Sequence, residues 1–321
     1  MANIEFAGQG YAVQSGETVL DCLLRNGVGI SHSCKAGVCQ SCLVKGGGGA
    51  IPERAQNGLK ETQREQGYFL ACSCEPVEDL RVALAADDQR VAARIRGLDS
   101  LTDTVLRVRL QPVESLGHRA GQYISLFRED GLARSYSVAS LPDEDHLELH
   151  VRVIPGGAMS QWLREEAAPD TQVWLRGPVG NCFYTRSRPE QPLLLAGTGT
   201  GLAPLYGIVK DALAHQHEGP IWLFHGALRP EGLYLTKELR AMSEEHANFH
   251  YVPTVLECEP PAGGKCGTIE SAVLSTFPNL EGWRAFVCGD PAFVNGFRKK
   301  IFLAGVASKE IHADAFLPSV V

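Results

Sequence analysis

The sequence lacks any long uninterrupted run of apolar residues. Its most apolar stretch, residues 193–209, is broken by glycines and a proline, whereas a membrane-spanning helix needs about 20 consecutive apolar residues. Residues 1–6 also lack the basic segment followed by an apolar one that directs secretion. We therefore expect a cytoplasmic protein with no membrane span.

An excess of positive charge is also absent. The chain has 30 Lys and Arg against 37 Asp and Glu, for a net charge of −7. Nucleic acids and anionic membranes bind basic surfaces, so neither is an expected partner. The composition is otherwise that of an ordinary globular protein, and 321 residues are enough for two or three domains.

The first 85 or so residues predict a small α+β unit. Residues 4–6 and 11–13 predict a hairpin around the turn Gly8–Gly10, and Thr18–Asn26 predicts a short helix with apolar residues on one face. A loop rich in Cys and Gly follows. Residues 41–45 then predict a strand that ends at the glycine run 46–49.

The rest of the chain changes pattern near residue 190. Residues 90–187 alternate apolar and polar positions, as in residues 105–110 and 146–153, which is typical of an antiparallel sheet or barrel. From residue 192 onward, short apolar strands alternate with helical segments. This pattern predicts a parallel sheet covered by helices on both faces.

Cysteine, by contrast, is abundant, with ten residues. Cys34, Cys39 and Cys42 have the spacing C-x₄-C-x₂-C, and Cys72 follows 30 positions later, which is the arrangement of plant-type [2Fe–2S] ferredoxins. Two irons need four converging thiolates, and one tight loop of small residues can supply three of them. A zinc site usually shows two C-x₂-C pairs, and only one is present; buried free cysteines are the other alternative. Cys74 competes with Cys72 as the fourth ligand.

With these cysteines, residues 1–85 resemble a plant-type ferredoxin domain with a β-grasp fold. The remainder is similar to the ferredoxin–NADP⁺ reductase superfamily. The combination resembles the reductase components of bacterial multicomponent oxygenases, both ring-hydroxylating and diiron. The resemblance implies a ferredoxin domain at 1–87, an antiparallel β-barrel flavin domain at 88–187 and an α/β parallel-sheet nucleotide-binding domain at 188–321.

The flavin motif is Arg134-Ser135-Tyr136-Ser137, which matches the R-x-Y-S signature of this superfamily. The resemblance implies that Arg134 binds the flavin pyrophosphate, Tyr136 contacts the ring and Ser137 lies near flavin N5. A guanidinium suits the first role because it binds phosphate through two parallel hydrogen bonds. A second phosphate element implies FAD rather than FMN. The further flavin-binding residues implied are His150, Val151, Arg152, Gly157, Met159 and Ser160.

The nicotinamide motifs follow two of the predicted strands. Gly199-Thr200-Gly201 lies between a buried strand and a helix, where glycines let a pyrophosphate approach the helix N-terminus. Cys288-Gly289-Asp290-Pro291 matches the C-G-x-P element, whose cysteine lies beside the nicotinamide ring in this superfamily. Phe316 is implied to cover the flavin where nicotinamide docks; an ordinary core aromatic is the alternative. The acidic residues after the strand 250–255 favour NADH over NADPH, although Arg229 is a nearby cation.

The implied activity is transfer of electrons from NADH through FAD and a [2Fe–2S] cluster to a partner protein, expected to be a terminal oxygenase. The flavin bridges the other two centres, because nicotinamide gives an electron pair as hydride and the cluster accepts single electrons. A redox or iron–sulfur sensor is the alternative function, and intact nicotinamide motifs speak against it.

Overall fold

The computed structural model describes residues 2–59, 64, 67–84, 90–257 and 262–317. Three sheets follow one another along the chain, as the sequence patterns predict. The first has five strands, β1 (Asn3–Phe6), β2 (Gln9–Ala12), β3 (Leu43–Gly48), β4 (Tyr68–Leu70) and β5 (Leu80–Leu84), in the order β2-β1-β5-β3-β4. Helix α1 (Val19–Arg25) packs on it through Val19, Leu20 and Leu23.

Two local predictions in this unit are wrong. The hairpin pairs Phe6 with Gln9, so its turn is Ala7-Gly8 rather than Gly8–Gly10. Both turn residues have positive φ, 51° and 78°, as a two-residue turn between twisted strands requires. Strand β3 begins at Leu43 and continues into the glycine run as far as Gly48, because Gly46 and Gly48 still pair with β5.

The second sheet is antiparallel throughout. Its strands are β6 (Val91–Thr102), β7 (Val105–Pro112), β8 (Tyr123–Phe127), β9 (Ala133–Ser137), β10 (Leu147–Arg152) and β11 (Gln172–Val179), in the order β10-β7-β6-β11-β8-β9. A single bridge between Val138 and Leu149 brings its two edges together and closes a barrel. Helix α2 (Ala158–Glu165) contributes Met159 and Leu163 to the barrel core.

The third sheet is parallel and carries helices on both faces. Its strands are β12 (Leu193–Thr198), β13 (Ile221–Ala227), β14 (Phe249–Val255), β15 (Lys265–Cys266), β16 (Arg284–Gly289) and β17 (Ile311–Ala315), in the order β15-β14-β13-β12-β16-β17. The helices are α3 (Leu202–Ala214), α4 (Thr236–Glu245), α5 (Ile269–Thr276) and α6 (Pro291–Leu303). Strands β12 and β16 are neighbours, so their carboxyl ends meet where ligands bind in open parallel sheets.

In the part of the chain that the structure describes, no helix is both long and apolar enough to span a bilayer.

Cys258, one of the ten cysteines, lies outside the described residues. Cys266 is disulfide-bonded.

Candidate electron-transfer site

The cysteine loop brings the predicted cluster residues together as two pairs. The amide of Cys39 donates to Cys34 Sγ and the amide of Cys34 to Cys39 Sγ, each at 3.5 Å. Cys42 and Cys72 form the second pair, close enough that each thiol perturbs the pKa of the other. Among the described residues no three Cys, His, Asp or Glu side chains are arranged to hold a single metal ion. Two pairs of thiols are instead the donor set that a cluster with two irons requires.

Backbone amides also point at these sulfurs. The amide of Ala36 donates to Cys34 Sγ at 3.4 Å, and the backbone of Gly37 acts to lower the pKa of the Cys72 thiol. Gly37 has a φ of 73°, and a Cβ there would lie 2.6 Å from Ser73 Oγ, so the loop needs glycine at this bend. Within each pair, the interaction between the two thiols lowers the pKa of one sulfur, Cys39 or Cys72, and raises that of its partner, Cys34 or Cys42. Each pair therefore favours one thiolate, the form that binds metal.

Cys74 lies in a different environment from Cys72. It is fully buried in the apolar core with α1, and burial raises the pKa of its thiol to about 12. Its carbonyl oxygen accepts a hydrogen bond from the first amide of α1, that of Val19, at 2.8 Å. Cys74 therefore has the surroundings of a small core residue.

One side of the cluster loop is hydrogen-bonded to the barrel. The Tyr123 hydroxyl donates to the Val38 carbonyl at 2.8 Å, and the hydroxyls of Ser125 and Ser135 each lie 3.4 Å from the Cys39 carbonyl. The Arg176 guanidinium donates to the carbonyl of Gln40. The sequence analysis did not predict that any of these barrel residues contacts the cluster loop, because the contacts join distant segments of the chain.

The predicted flavin motif lies on β9, the strand that also supplies the Ser135 contact to the cluster loop. Tyr136 and Ser137 follow Ser135 on β9, and Arg134 precedes it. Beyond the Val138–Leu149 bridge, no pairing between β9 and β10 occurs in the described residues, so the barrel wall is open at this point. Tyr136 and Ser137 lie beside this unpaired opening, where the flavin motif predicts the ring.

Residues 150–152 line the other side of this opening. Val151 is buried in the barrel core. The His150 side chain faces the nucleotide-binding domain, with Nδ1 3.2 Å from the Tyr234 hydroxyl and Nε2 2.9 Å from Glu148. The side chains of both residues are thus occupied, which leaves their backbone groups as the contacts available to a flavin.

The second phosphate element forms the start of α2. Gly157 is the N-cap of this helix, and a Cβ there would lie 2.7 Å from Ser160 Oγ. Met159 is buried in the core. The Ser160 hydroxyl accepts from the Ile154 amide at 3.1 Å and donates to the Gly157 carbonyl at 3.2 Å. The groups left for a phosphate are therefore the free amides of the first helical turn.

The glycine turn and the C-G-x-P element are packed against each other. Residues Gly199–Gly201 form a single 3₁₀ turn between β12 and α3, and a Cβ at Gly201 would lie 2.3 Å from the Cys288 carbonyl oxygen. Gly289 has a φ of 125°, and a Cβ there would lie 2.5 Å from Thr198 Oγ1. Only glycine allows these two strand ends to approach so closely.

Asp290 and Pro291 begin α6. The Asp290 carboxylate caps the helix by accepting from the amides of Ala292 and Phe293 at 2.8 and 3.2 Å, and Pro291 occupies the first helical position, where its missing N–H costs nothing. These residues have a helix-capping role in addition to the predicted nucleotide role.

Asp314, to which the sequence analysis assigned no role, links Ser137 of the barrel to the strand that pairs with Cys288. The Ser137 hydroxyl donates to Asp314 Oδ2 at 3.3 Å. Asp314 lies opposite Cys288 in the pairing of β16 with β17. Burial raises the pKa of the Asp314 carboxyl to about 6, although the bond from Ser137 acts to lower it. Only the fold shows that a carboxyl contacts the hydroxyl of Ser137, which is predicted to lie near flavin N5 and to take part in catalysis.

Cys288 is fully buried, with its sulfur 3.5 Å from that of Cys182, and burial raises the pKa of its thiol. A neutral thiol is a poor nucleophile, which agrees with a role in shaping the site. Phe316 follows β17, and its amide donates to the Gly289 carbonyl at 2.8 Å. Its backbone is thus fixed beside the same turn.

Fold and site together define a flavin- and iron–sulfur-dependent NAD(P)H oxidoreductase. Three family matches agree with this class. Residues 4–77 match the 2Fe-2S iron-sulfur cluster binding domain, residues 100–184 the oxidoreductase FAD-binding domain and residues 195–299 the oxidoreductase NAD-binding domain.

Individual relatives match the whole chain. It is 34% identical over 334 residues to the reductase subunit of an aromatic O-demethylase from an Amycolatopsis species, covering 98% of each chain. It is 33% identical over 313 residues to the ferredoxin–NAD(P)⁺ reductase component of the Pseudomonas putida naphthalene 1,2-dioxygenase system, covering 95% of this chain and 94% of the relative. The crystal structure of an Amycolatopsis cytochrome P450 reductase superposes with a TM-score of 0.72, 30% identity and full coverage of both chains. The chain therefore belongs to the family of reductases that carry [2Fe–2S], FAD-binding and NAD-binding domains on one polypeptide.

Proposed function

We propose that this protein passes electrons from NADH through FAD and a [2Fe–2S] cluster to the oxygenase component of a multicomponent system. The observation that carries the proposal is the contact between the cluster loop and the barrel. Residues Val38–Gln40 accept hydrogen bonds from β8, β9 and β11, and β9 carries the flavin motif. The relatives named above, which are reductases of oxygenase and demethylase systems, support the choice of partner.

The cofactors supply the redox chemistry, since a flavin can accept an electron pair from nicotinamide and release single electrons to an iron–sulfur cluster. The chain's own residues orient and enclose them. Ser137 and Asp314 place a hydrogen-bonded pair at the opening between β9 and β10. The buried Cys288 provides an apolar wall without a reactive thiolate.

We assign the cluster to Cys34, Cys39, Cys42 and Cys72. The pairing of Cys42 with Cys72 supports this choice, and so does the burial of Cys74 against α1. The test compares Cys72→Ala with Cys74→Ala in the full chain, measuring iron per protein and the visible spectrum. Cys72→Ala should lose the cluster and Cys74→Ala should keep it; the reverse pattern would show that Cys74 is the ligand.

The ferredoxin domain is the proposed exit for electrons. Within the cluster loop, Cys39 and Gln40 are buried against the barrel, whereas Lys35 and Ala36 are exposed and Val38 is 49% exposed. A partner can therefore approach only this outer side. Such encounters are usually transient and small in area.

The Cys72→Ala variant also tests this direction of flow. It should still reduce ferricyanide with NADH, because a small acceptor can take electrons from the flavin, and it should lose reduction of cytochrome c and of a candidate oxygenase. Full activity toward the oxygenase without the cluster would remove the cluster from the path. Rapid bleaching of the wild-type flavin by NADH separates a reductase from a redox sensor.

NADH is the proposed donor. Glu257 follows β14, where an NADPH-binding site would need a cation for the 2′-phosphate. Arg229, the nearby cation, is paired with Glu257 at 2.5 Å. Its charge is thus balanced by a carboxylate that would repel the extra phosphate. Comparison of kcat/KM for the two nucleotides tests this, and a higher value with NADPH would exclude the proposal.

We place the domain boundaries after residues 87 and 187. The first falls within residues 85–89, which lie outside the described part, and the second precedes β12 by six residues. Limited proteolysis with mass spectrometry of the fragments should give cuts near these positions, and cuts only inside the sheets would contradict them.

The cytoplasm is the proposed location. Apart from the four proposed cluster ligands, Cys22, Cys74, Cys182 and Cys288 are free thiols. Free thiols are expected in a reducing compartment, where disulfides such as that of Cys266 are uncommon. Fractionation of the source cells beside a periplasmic marker tests this, and co-purification with that marker would exclude it.

A further inference from the structure

Arg176 lies at the junction between the barrel and the cluster loop. It sits on β11 opposite Ser125 of β8, and its guanidinium donates to the Gln40 carbonyl. The guanidinium carbon is 5.0 Å from the centre of the Phe127 ring, and Phe127 is fully buried. The side chain is therefore fixed by a ring contact on the barrel and by a hydrogen bond to the cluster loop.

Arg176 is half-buried, and its charge at this position needs an explanation. The ionisable groups that act on Arg176 among the described residues are Arg90, Cys42 and Cys39, and none of them is a carboxylate. Arg90 is a second cation on the same ring, 4.2 Å from its centre, and it repels Arg176. Burying a charge without an opposite charge is costly. The nearest groups that would carry an opposite charge are the sulfurs of Cys39 and Cys42 when they ligate a cluster.

We propose that Arg176 is a positioning residue for electron transfer between the flavin and the cluster. It holds the Cys39–Gln40 segment against the barrel, and its positive charge favours the reduced form of the cluster. The inference rests on the proposed assignment of the cluster to these cysteines. The charge effect follows from electrostatics, because each electron added to the cluster increases the negative charge beside a fixed guanidinium, and net charge and hydrogen bonding are known determinants of cluster potential. The barrel would thus contribute to the driving force as well as to the docking.

The experiment compares Arg176→Gln and Arg176→Lys with wild-type holoprotein. The midpoint potential of the cluster is measured by redox titration followed by electron paramagnetic resonance. Arg176→Gln should lower the midpoint potential of the cluster. The equilibrium constant for electron transfer from flavin to cluster should fall by at least about threefold. For a one-electron couple, at 59 mV per tenfold, this corresponds to about 28 mV. Arg176→Lys keeps the charge and should stay closer to wild type.

The matched control is Arg94→Gln. Arg94 is also a barrel arginine that donates to a backbone carbonyl, that of Asp170 at 3.2 Å, but it pairs with Gln172 at the start of β11, away from the cluster loop. It should leave the potential unchanged. In stopped flow, Arg176→Gln should slow electron transfer from flavin to cluster and leave flavin reduction by NADH at the wild-type rate.

The sign of the shift separates a charge effect from simple loss of docking. Undocking alone would expose the cluster to water, which stabilises added negative charge and raises the potential. An unchanged or raised potential in Arg176→Gln would overturn the inference, as would equal shifts in the Gln and Lys variants. Absence of iron from the wild-type protein, or an intact cluster in Cys72→Ala, would instead contradict the proposed cluster assignment.

Discussion

Asp314 provides a quantitative test of the site. Its carboxyl has a pKa near 6 in the folded protein against an ordinary value of 3.8, because burial disfavours the charged form. A carboxyl whose pKa is raised by folding weakens the fold once it ionises. The penalty is absent below pH 3.8, develops between pH 3.8 and 6 and is complete above that range. Replacing the carboxyl by a neutral amide of the same shape should therefore stabilise the protein at neutral and alkaline pH.

The size of the effect follows from the two pKa values. At about 1.36 kcal/mol per pKa unit, the penalty is roughly 3 kcal/mol at pH 8 and roughly 1.6 kcal/mol at pH 5. These are upper values, since Asp314 is partly exposed and solvent reduces the penalty. We expect Asp314→Asn to raise the melting temperature of the affected transition at pH 8 by up to roughly 6–12 °C, and by about half as much at pH 5.

The assay is scanning calorimetry of flavin-free protein at both pH values, so that only protein groups surround Asp314. Ser137→Ala is the control, because it removes the bond that lowers the pKa of Asp314 and should destabilise the protein more at pH 8 than at pH 5. If Asp314→Asn stabilised the protein equally at both pH values, or destabilised it at pH 8, folding would not raise the pKa of Asp314 and the reasoning would be refuted.

Three further changes probe the flavin and nucleotide sites. Arg134→Ala should weaken FAD binding by roughly 10- to 150-fold, because loss of a charged hydrogen bond costs about 1.5–3 kcal/mol. Full flavin occupancy with an unchanged iron–sulfur signal would argue against a role in binding the pyrophosphate. Glu257→Gln releases Arg229 from its ion pair. It should raise kcat/KM for NADPH by roughly fivefold, the factor that corresponds to about 1 kcal/mol of charge repulsion, with little change for NADH. No gain with NADPH would show that the 2′-phosphate of the nucleotide binds elsewhere. Gly201→Ala puts a Cβ 2.3 Å from a carbonyl oxygen at the end of β16 and should cost about 1–3 kcal/mol in stability and weaken NADH binding. The control is Gly296→Ala inside α6, where the new methyl has no neighbour within 4 Å outside its own helix and should stabilise the fold by about 0.5–1 kcal/mol. Equal losses of stability from both substitutions would contradict the close contact between Gly201 and the end of β16.

The sequence by itself determined the order and type of the three units, because these depend on local patterns. Alternation of period two marked the barrel strands β7 and β10, and an apolar run before a glycine turn marked β12. The spacing of Cys34, Cys39 and Cys42 identified the cluster loop. Local patterns were less informative at the ends of elements, since the turn at Ala7-Gly8 and the extension of β3 through glycines depend on pairing with other strands.

Tertiary structure decided which residues meet. Cys72 and Cys74 are two positions apart, yet one faces Cys42 and the other the core beneath α1, since the short turn between them directs their side chains differently. Ser137 reaches Asp314 across 177 positions and Arg176 reaches Gln40 across 136. Such contacts have no periodicity or spacing in the sequence, because they arise only when separately folded units pack against one another. The cofactor types could therefore be predicted from the chain alone, whereas the junction between the flavin barrel and the cluster loop could not.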